Sequence, residues 1–185
     1  MTEAGLTDPG ALLATTHEAG AGLRVRLRLA RPSDALRVRD FLQGLSEETR
    51  RRRFPDEPDA VPESLVRHFT FQDPRERLVV AATAPRDGGE MMVGLADVVL
   101  AGTGLAELGV VVDDRSQNRG IGKLLTEAVA YLAIQQGATH LRAPLPQADG
   151  PMLRLMERLG RTVRAVENDR EVVYVKLPES DRRAA

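Results

Sequence analysis

The sequence predicts a mixed α/β domain around one central sheet, and three observations lead to that prediction. Stretches that alternate apolar and polar residues, or that run apolar and β-branched, are typical of strands. Between them lie stretches in which apolar residues recur every three or four positions, as in helices packed by one face. The chain of 185 residues, 42% of them hydrophobic, suffices for one domain with its own core.

The domain limits follow from composition. Residues 1–22 are rich in Ala, Gly and Thr with weak periodicity, and they predict a flexible N-terminal extension. The regular patterns run from residue 23 to about residue 178, which we take as the domain. Residues 179–185 are then a short C-terminal tail.

The first half of the domain is predicted to contain one strand followed by three helices. "LRVRLRLA", from Leu23, alternates apolar and basic residues as a half-exposed strand does. A helix follows with Ser33 or Asp34 as its cap. Ser46 is the expected cap of a second helix, and a third begins at Pro62.

The second half predicts three strands, then a helix, a strand, a helix and a closing hairpin. The helix that follows the three strands ends at Gly137, where glycine is the favoured terminating residue. In order, the elements are Arg77 to Ala84, Glu90 to Gly102, Leu105 to Val112, the helix to Gly137, "THLRAPL", "GPMLRLMERLG", and "TVRAVE" with "EVVYVKL" around "NDR".

The charge is nearly balanced, with 26 basic and 27 acidic residues. Bulk attraction to nucleic acid or to an acidic membrane surface is therefore not indicated. No apolar run approaches the roughly 18 residues that span a bilayer. The N-terminus also lacks the basic residues that precede the apolar core of a secretory signal. We expect a cytoplasmic protein without a nucleic-acid or membrane partner.

The chain contains no cysteine and only three histidines. This composition excludes disulfides, thiolate metal sites and any intermediate carried on a cysteine thiol. The histidines are too scattered to predict a metal site, so we expect none. His68 is expected to be a packing or surface residue. The run Arg50 to Arg53 either binds an acidic protein or a phosphate, or forms a solvated helix face.

A loop suited to phosphate follows the strand that ends at Val112. Gly120 and Gly122 lie where this strand gives way to a helix, so that backbone N–H groups and the helix N-terminus face an anion. Arg119 and Lys123 flank the turn and can meet further phosphate charge. The alternative is a tight turn that binds nothing.

Two known phosphate motifs do not fit this loop. A Walker A loop is excluded because Gln117 occupies its first Gly position and Leu124 its Ser/Thr position. The dinucleotide fingerprint fails because "GTGLAE" ends in Glu107 and not in glycine.

The run Gln117-Asn118-Arg119-Gly120-Ile121-Gly122 resembles the [RQ]-x-x-G-x-[GA] signature of the GNAT superfamily of N-acetyltransferases. The resemblance implies a mixed, mostly antiparallel central sheet flanked by helices, with acetyl-CoA as co-substrate. It also implies that the loop holds the CoA pyrophosphate and that the preceding strand bonds the pantetheine arm. The acetyl-CoA residues so predicted are Val110, Val111, Val112, Gln117, Asn118, Arg119, Gly120, Ile121, Gly122 and Lys123.

Glu107 is the candidate general base. Period-two alternation places Glu107, Gly109 and Val111 on one face of their strand, and Gly109 would leave space there for a ligand. A lysine amine, with a pKa of about 10.4, is protonated at neutral pH and must lose a proton before it attacks a thioester. A partly desolvated carboxylate can accept that proton. The alternative is an ordinary glutamate at a strand end, bonded to a neighbouring arginine.

A longer resemblance concerns bacterial Pat-type protein lysine acetyltransferases. "LSEETRRRRF", Leu45 to Phe54, resembles an early segment of their catalytic domain, and the "AE" pair resembles their general base, which maps onto Glu107. The resemblance implies direct acetyl transfer to a protein lysine. Two positions depart from the GNAT pattern: Asp149 replaces an asparagine that contacts CoA, and Met156 replaces a tyrosine acid.

Two other functions remain open. The acceptor could be a small amine, or the chain could be a non-catalytic acyl-CoA-binding regulatory protein. Pat-type relatives often carry a cyclic-nucleotide-binding or a synthetase domain, and we expect this chain to be a catalytic domain by itself. The oligomeric state stays open, with a dimer as one alternative.

Overall fold

The computed structural model describes residues 12–13, 15–55, 61–71, 73–146 and 150–179. Eight strands form one sheet in the order β1-β2-β3-β4-β5-β6-β8-β7. The strands are β1 (Thr16–Ala19), β2 (Leu23–Leu29), β3 (Arg77–Arg86), β4 (Gly89–Leu100), β5 (Leu105–Val112), β6 (His140–Pro144), β7 (Thr162–Glu167) and β8 (Arg170–Lys176). The helices are α1 (Ala35–Gly44), α2 (Glu47–Arg53), α3 (Glu63–Thr70), α4 (Ile121–Gln135) and α5 (Pro151–Leu159).

The sheet separates two hydrophobic cores. Every neighbouring pair of strands is antiparallel except β5 and β6, which run parallel. Alternate residues of β3 pack to opposite sides: Val80 contacts the core under α4 and α5, and Val79 the core under α1 and α3. The predicted mixed, mostly antiparallel sheet is confirmed. None of the described helices is long and apolar enough to cross a membrane.

Strand β1 lies in the stretch for which we expected a flexible extension. It pairs antiparallel with β2, from Thr16 opposite Arg26 to Ala19 opposite Leu23. The short stretch "THEA" has little of the alternation typical of a strand, so the sequence does not predict one here. Its pairing with the edge of β2 stabilises it as a strand. The sheet therefore begins before Leu23.

The helix ends show how local chemistry places the elements. Ser46 caps α2 as predicted, since its side chain accepts a hydrogen bond from the Thr49 N–H. Asp34 occupies the capping position of α1, but its carboxylate accepts from the N–H of Arg31, 2.9 Å away, and makes no cap bond to the helix. The hairpin of β7 and β8 turns at Asn168 and Asp169, which both have positive φ, as a tight hairpin requires.

Strands β5 and β6 separate after three paired residues. Their ladder runs from Leu105 opposite His140 to Glu107 opposite Arg142. Beyond that point β6 pairs only with β8, whereas β5 continues beside β4 as far as Val112. One edge of the segment 108–112 therefore has no strand partner in the described chain and faces a cleft.

Candidate active site

The cleft between β5 and β6 contains a cavity of about 380 Å³. Its walls come from β5, the loop before α4, the N-terminus of α4, the end of β6, α2 and α5. Among the described residues that line it, none is a carboxylate and five are cationic: Arg52, Arg53, Lys123, Arg154 and Arg158. Since the whole chain carries a net charge of -1, this local concentration of positive charge favours an anionic ligand.

The register of β5 determines which backbone groups face the cavity. The N–H of Asp113 donates to the carbonyl of Val93, and the N–H of Ala101 donates to the carbonyl of Leu105, each over 2.9 Å. These bonds lie at the two ends of the β4–β5 ladder, so the odd-numbered residues of β5 bond to β4. The even-numbered residues between 108 and 112 consequently direct their N–H and C=O groups to the cleft.

This register shows which of the strand residues predicted to bind acetyl-CoA can do so through their backbone. Val110 presents both backbone groups to the cleft. The carbonyl of Val112 already accepts a hydrogen bond from the side-chain amide of Gln117 over 3.1 Å. The backbone of Val111 faces β4, and its side chain is buried in the core under α1 and α3. Val110 is therefore the strand residue best placed to bond a ligand.

The loop before α4 has the geometry of an anion cradle. Gly120 is the residue before the helix and adopts a left-handed conformation with φ of 86°. The first helical hydrogen bond runs from the Leu124 N–H to the Gly120 carbonyl, 3.1 Å apart. The N–H groups of Ile121, Gly122 and Lys123 therefore have no acceptor within the helix and are directed out of its N-terminus.

The other predicted loop residues differ in what they expose. Gln117 and Asn118 line the cavity, and Asn118 also has positive φ. The side chain of Ile121 is buried in the core, so only its backbone can bind. Arg119 does not belong to the described cavity lining, and its carbonyl accepts a hydrogen bond from the N–H of Gly20 over 2.8 Å. The chain just after β1 thus supports the loop from outside.

Gly120→Ala is expected to lower the free energy of unfolding by about 1–2 kcal/mol, because a left-handed conformation costs a residue with a Cβ about that much. Gly122→Ala is the matched control. A Cβ at Gly122 would lie 3.6 Å from the nearest atom of Leu155, an ordinary contact. Thermal unfolding of both variants tests this, and equal unfolding temperatures would contradict the strain at Gly120.

Asp114 ties the loop to the start of α2. Its carboxylate accepts hydrogen bonds from the N–H and hydroxyl of Ser46 over 2.8 and 2.6 Å, and from the Thr49 hydroxyl over 2.7 Å. The side-chain amide of Gln117 also donates to the Thr49 hydroxyl. Partial burial raises the pKa of the Asp114 carboxyl, but the hydrogen bonds from Ser46 and Thr49 outweigh it, so the pKa lies below its ordinary value.

Asp114→Ala is expected to lower the free energy of unfolding by about 1–2 kcal/mol at pH 7, because it leaves these donors without their acceptor. A carboxyl with a lowered folded-state pKa stabilises the fold above its unfolded pKa, about 3.9, and this stabilisation is lost as the pH falls through the folded-state pKa. Urea unfolding should therefore show a smaller difference from the wild type at about pH 3. A difference that grows with acid would contradict this assignment.

Glu107 lies at the fork of β5 and β6, outside the described cavity lining. Its side chain is 54% exposed and forms an ion pair with Arg142. Arg142 also pairs with Glu167 over 2.8 Å, and the Tyr174 hydroxyl donates to Glu167. The Glu107 carboxylate is accessible, as a general base must be, and it is also bonded to an arginine, as an ordinary glutamate at a strand end would be. The structure is therefore compatible with both interpretations of this residue.

Gly109 lines the cavity, but the ligand space expected on its side-chain face is filled by the protein itself, and on that face the prediction was wrong. A Cβ placed on Gly109 would lie 1.9 Å from Nη2 of Arg53, because the guanidinium packs directly against the glycine. Arg53 comes from α2, which crosses this face of β5. The absence of a side chain at Gly109 accommodates an arginine of the protein itself.

Arg53 belongs to a buried charged cluster. Asp97, opposite Gly109 on β4 and only 3% exposed, accepts hydrogen bonds from Arg53 Nη2 at 2.6 Å and His68 Nε2 at 3.1 Å. Burial by itself raises the pKa of the Asp97 carboxyl, but Arg53 and His68 outweigh it, so the pKa lies below its ordinary value. His68 is therefore a half-buried partner of a buried carboxylate.

The run Arg50 to Arg53 divides into different roles. Arg51 and Arg52 pair with glutamates one helical turn earlier, as expected of a solvated helix face. Arg52 and Arg53 also line the cavity, in keeping with the alternative of phosphate binding.

Residues 40–160 match the profile of the acetyltransferase (GNAT) family. The chain belongs to the GNAT family. It is therefore an acyltransferase. The GNAT assignment made from the Gln117 to Gly122 run is confirmed.

Solved structures agree with this assignment. The GNAT domain of S. lividans Pat is 24% identical with a TM-score of 0.75, covering 88% of this chain and 96% of that one. A cAMP-binding acyltransferase from Mycobacterium smegmatis is 24% identical with a TM-score of 0.60, and the match covers 91% of this chain but 48% of that protein. A putative acetyltransferase from Salmonella typhimurium, solved with its cofactor acetyl-CoA, is 15% identical with a TM-score of 0.61, covering 87% and 98%. None of the curated proteins matches significantly in sequence.

Sequence reasoning missed the α5 side of this GNAT cavity. Met152, Arg154, Leu155 and Arg158 line it, and their spacing of one helical turn was a usable signal. Met156, where many relatives have a tyrosine acid, is fully buried. Asp149 lies outside the described residues.

Proposed function

We propose that this protein transfers the acetyl group of acetyl-CoA directly to a primary amine, with a protein lysine as acceptor and Glu107 as general base. The observation that carries the proposal is the cavity itself. A strand edge with unpaired backbone groups, a helix N-terminus and five cationic side chains converge there without any described carboxylate. CoA has the matching chemistry, since it joins an amide-containing arm to three phosphates.

Each part of the donor has protein groups suited to it. The N–H and C=O of Val110 suit the amides of the pantetheine arm. The N–H groups from Gly120 to Lys123 suit the pyrophosphate. Arg154 and Arg158 supply positive charge for further phosphate. Gly122 and Leu155 contribute small or apolar surface between them.

The chemistry needs one proton acceptor. Removing the proton from a lysine amine at neutral pH costs about 4–5 kcal/mol. Glu107 is exposed at the fork, close in sequence to the cavity-lining segment, and can accept that proton. The amine nitrogen then forms a bond to the thioester carbon, and the bond from that carbon to sulfur breaks.

A protein lysine is favoured by two observations. The segment Leu45 to Phe54 and the "AE" pair resemble Pat-type enzymes, and the GNAT domain of S. lividans Pat is among the similar structures. Glu107, Arg142 and Glu167 also lie on an accessible part of the sheet, with two carboxylates to one guanidinium. This local excess of negative charge suits a cationic acceptor. A small amine is the second candidate, because the same charges would attract it.

The test is a calorimetric titration with acetyl-CoA, followed by release of free thiol in the presence of acceptors. A lysine-containing peptide, a lysine-rich folded protein and spermidine serve as acceptors. Acetyl-CoA binding together with thiol release from acetyl-CoA in the presence of the peptide or the protein supports the proposal. Thiol release in the presence of spermidine alone favours a small-amine enzyme. Binding without release from any acceptor would support the non-catalytic alternative. No binding would overturn the assignment of the cavity.

A further inference from the structure

Arg53 occupies the end of the cavity nearest the fork of β5 and β6. We propose that its guanidinium donates a hydrogen bond to the thioester of bound acyl-CoA and stabilises the negative charge that develops there. Arg53 would thus be a catalytic residue, in a position that the sequence signature does not include. This inference rests on the proposed transfer reaction.

The position of Arg53 is set by its contact with Gly109. The guanidinium packs so closely that a Cβ on the glycine would lie 1.9 Å from Nη2 and 2.4 Å from Cζ. Gly109 directly precedes Val110, whose N–H and C=O face the cleft, and Arg53 is itself part of the cavity lining. A carbonyl group bonded at Val110 would therefore lie near a fixed positive charge.

The guanidinium is anchored and yet retains hydrogen-bonding capacity. Nη2 donates to the buried carboxylate of Asp97, and the group lies over the ring of Phe54 with its carbon 4.9 Å from the centroid. Nε is buried and has no hydrogen-bond partner within the described structure. The exposed part of the side chain, 23% of its surface, is therefore at the other end of the group, where no hydrogen bond of Nη1 is found among the described residues and Nη1 can donate to a ligand oxygen or sulfur.

The described cavity lining provides no alternative group of this kind. It includes no tyrosine, histidine or carboxylic acid, and Met156 is buried where a tyrosine acid occurs in many relatives. The side chains of Thr49, Ser116 and Gln117 also line the cavity, but each already donates a hydrogen bond within the protein, and Asn118 lies in the loop before α4. Negative charge that develops on the thioester beside β5 is thus left to cations and backbone N–H groups. Arg154 and Arg158 lie on α5, and Arg52 is paired with Glu48. Arg53 is the one anchored beside β5 at Gly109.

The proposed step conserves every proton and electron pair. The amine nitrogen uses its lone pair to bond the thioester carbon, and the carbonyl oxygen becomes negatively charged. When this intermediate collapses, the electron pair of the carbon–sulfur bond goes to sulfur. Glu107 already holds the proton that made the lysine amine cationic, and the second amine proton passes through water to the thiolate. Arg53 keeps its protons and contributes charge and a hydrogen bond.

The test compares Arg53→Gln/Asp97→Asn with Arg158→Gln. The double substitution removes the guanidinium without leaving a buried carboxylate unpaired. Acetyl-CoA affinity is measured by calorimetry, and thiol release is measured with saturating acetyl-CoA and hydroxylamine, which is unprotonated at neutral pH and does not need Glu107. The double variant is expected to bind acetyl-CoA within about threefold of the wild type and to release thiol about 10²–10³-fold more slowly. Arg158→Gln is expected to show its main effect in the other quantity, as weaker acetyl-CoA binding.

Three outcomes would overturn the proposal. In the first, the double variant releases thiol as fast as the wild type. In the second, its loss appears only in acetyl-CoA affinity. In the third, the wild type does not accelerate the hydroxylamine reaction, since a donor fixed at the thioester should assist any amine. If hydroxylamine is acetylated but no lysine or spermidine acceptor is, the proposed acceptors fail while the role of Arg53 stands.

Discussion

Glu107→Gln is expected to lower the rate of acetyl transfer to a lysine acceptor by about 10²–10⁴-fold at neutral pH while acetyl-CoA binds as tightly as to the wild type. Glutamine has the same size and can still accept a hydrogen bond from Arg142, but it cannot take up the amine proton. Glu107 is not part of the described lining of the donor cavity, so the donor site should be unaffected. Calorimetry and thiol release on the same sample measure both quantities.

Glu167→Gln is the matched control for this experiment. It also removes a carboxylate bonded to Arg142, but one that is carried by β7 and not by β5. We expect the rate of acetyl transfer to fall by less than about tenfold, since the Glu167 carboxylate is not the proposed acceptor of the amine proton. Hydroxylamine gives an internal check, because Glu107→Gln should slow its acetylation far less than that of lysine. Equal losses with both nucleophiles would show that Glu107 acts through structure and not as a base.

Arg53→Leu is expected to lower the free energy of unfolding by about 3–5 kcal/mol at pH 7, the usual effect of removing one member of a buried ion pair. The substitution leaves the Asp97 carboxylate, 5% exposed, with only His68 as a partner. Urea unfolding measures the change. Arg52→Leu is the matched control, since the adjacent arginine pairs with Glu48 at the surface, and its loss should be about 0–1 kcal/mol.

The effect of Arg53→Leu should depend on pH in a defined direction. The folded-state pKa of Asp97 is lowered, so its ion pairs stabilise the fold above the unfolded pKa of about 3.9, and this stabilisation is lost as the pH falls through the folded-state value. The difference between wild type and variant should therefore shrink in acid. Arg53→Leu/Asp97→Leu should recover most of the stability, because neither charge remains. A double variant as unstable as the single one would contradict a role for the unpaired carboxylate.

Local chemistry made the loop before α4 and most elements predictable from the sequence. The cap at Ser46 acts on N–H groups three residues away, and period-two alternation orients the residues of β5 without reference to any other strand. The run from Gln117 to Gly122 needs only a strand, a turn and a helix in succession. Such features depend on a few neighbouring residues, and the order of elements then indicated the GNAT sheet.

Contacts between distant segments were not predictable in this way. Sequence alone could not show that Arg53 fills the space at Gly109, or that Asp114 bonds Ser46, 68 residues earlier. Arg154 and Arg158 reach the cavity only because α5 packs beside the start of α4, where Leu155 approaches Gly122.

The sequence by itself therefore determined the elements, the turn between β5 and α4 and the face on which Glu107 lies, because propensity, capping and periodicity act over a few residues. Only the tertiary structure decided the shape and charge of the cavity and the partners of Glu107, Gly109 and Asp97. The separation of β5 from β6, the crossing of α2 over β5 and the pairing of β1 with β2 all depend on long-range packing. That packing is set by the whole core, and no single stretch of the chain encodes it.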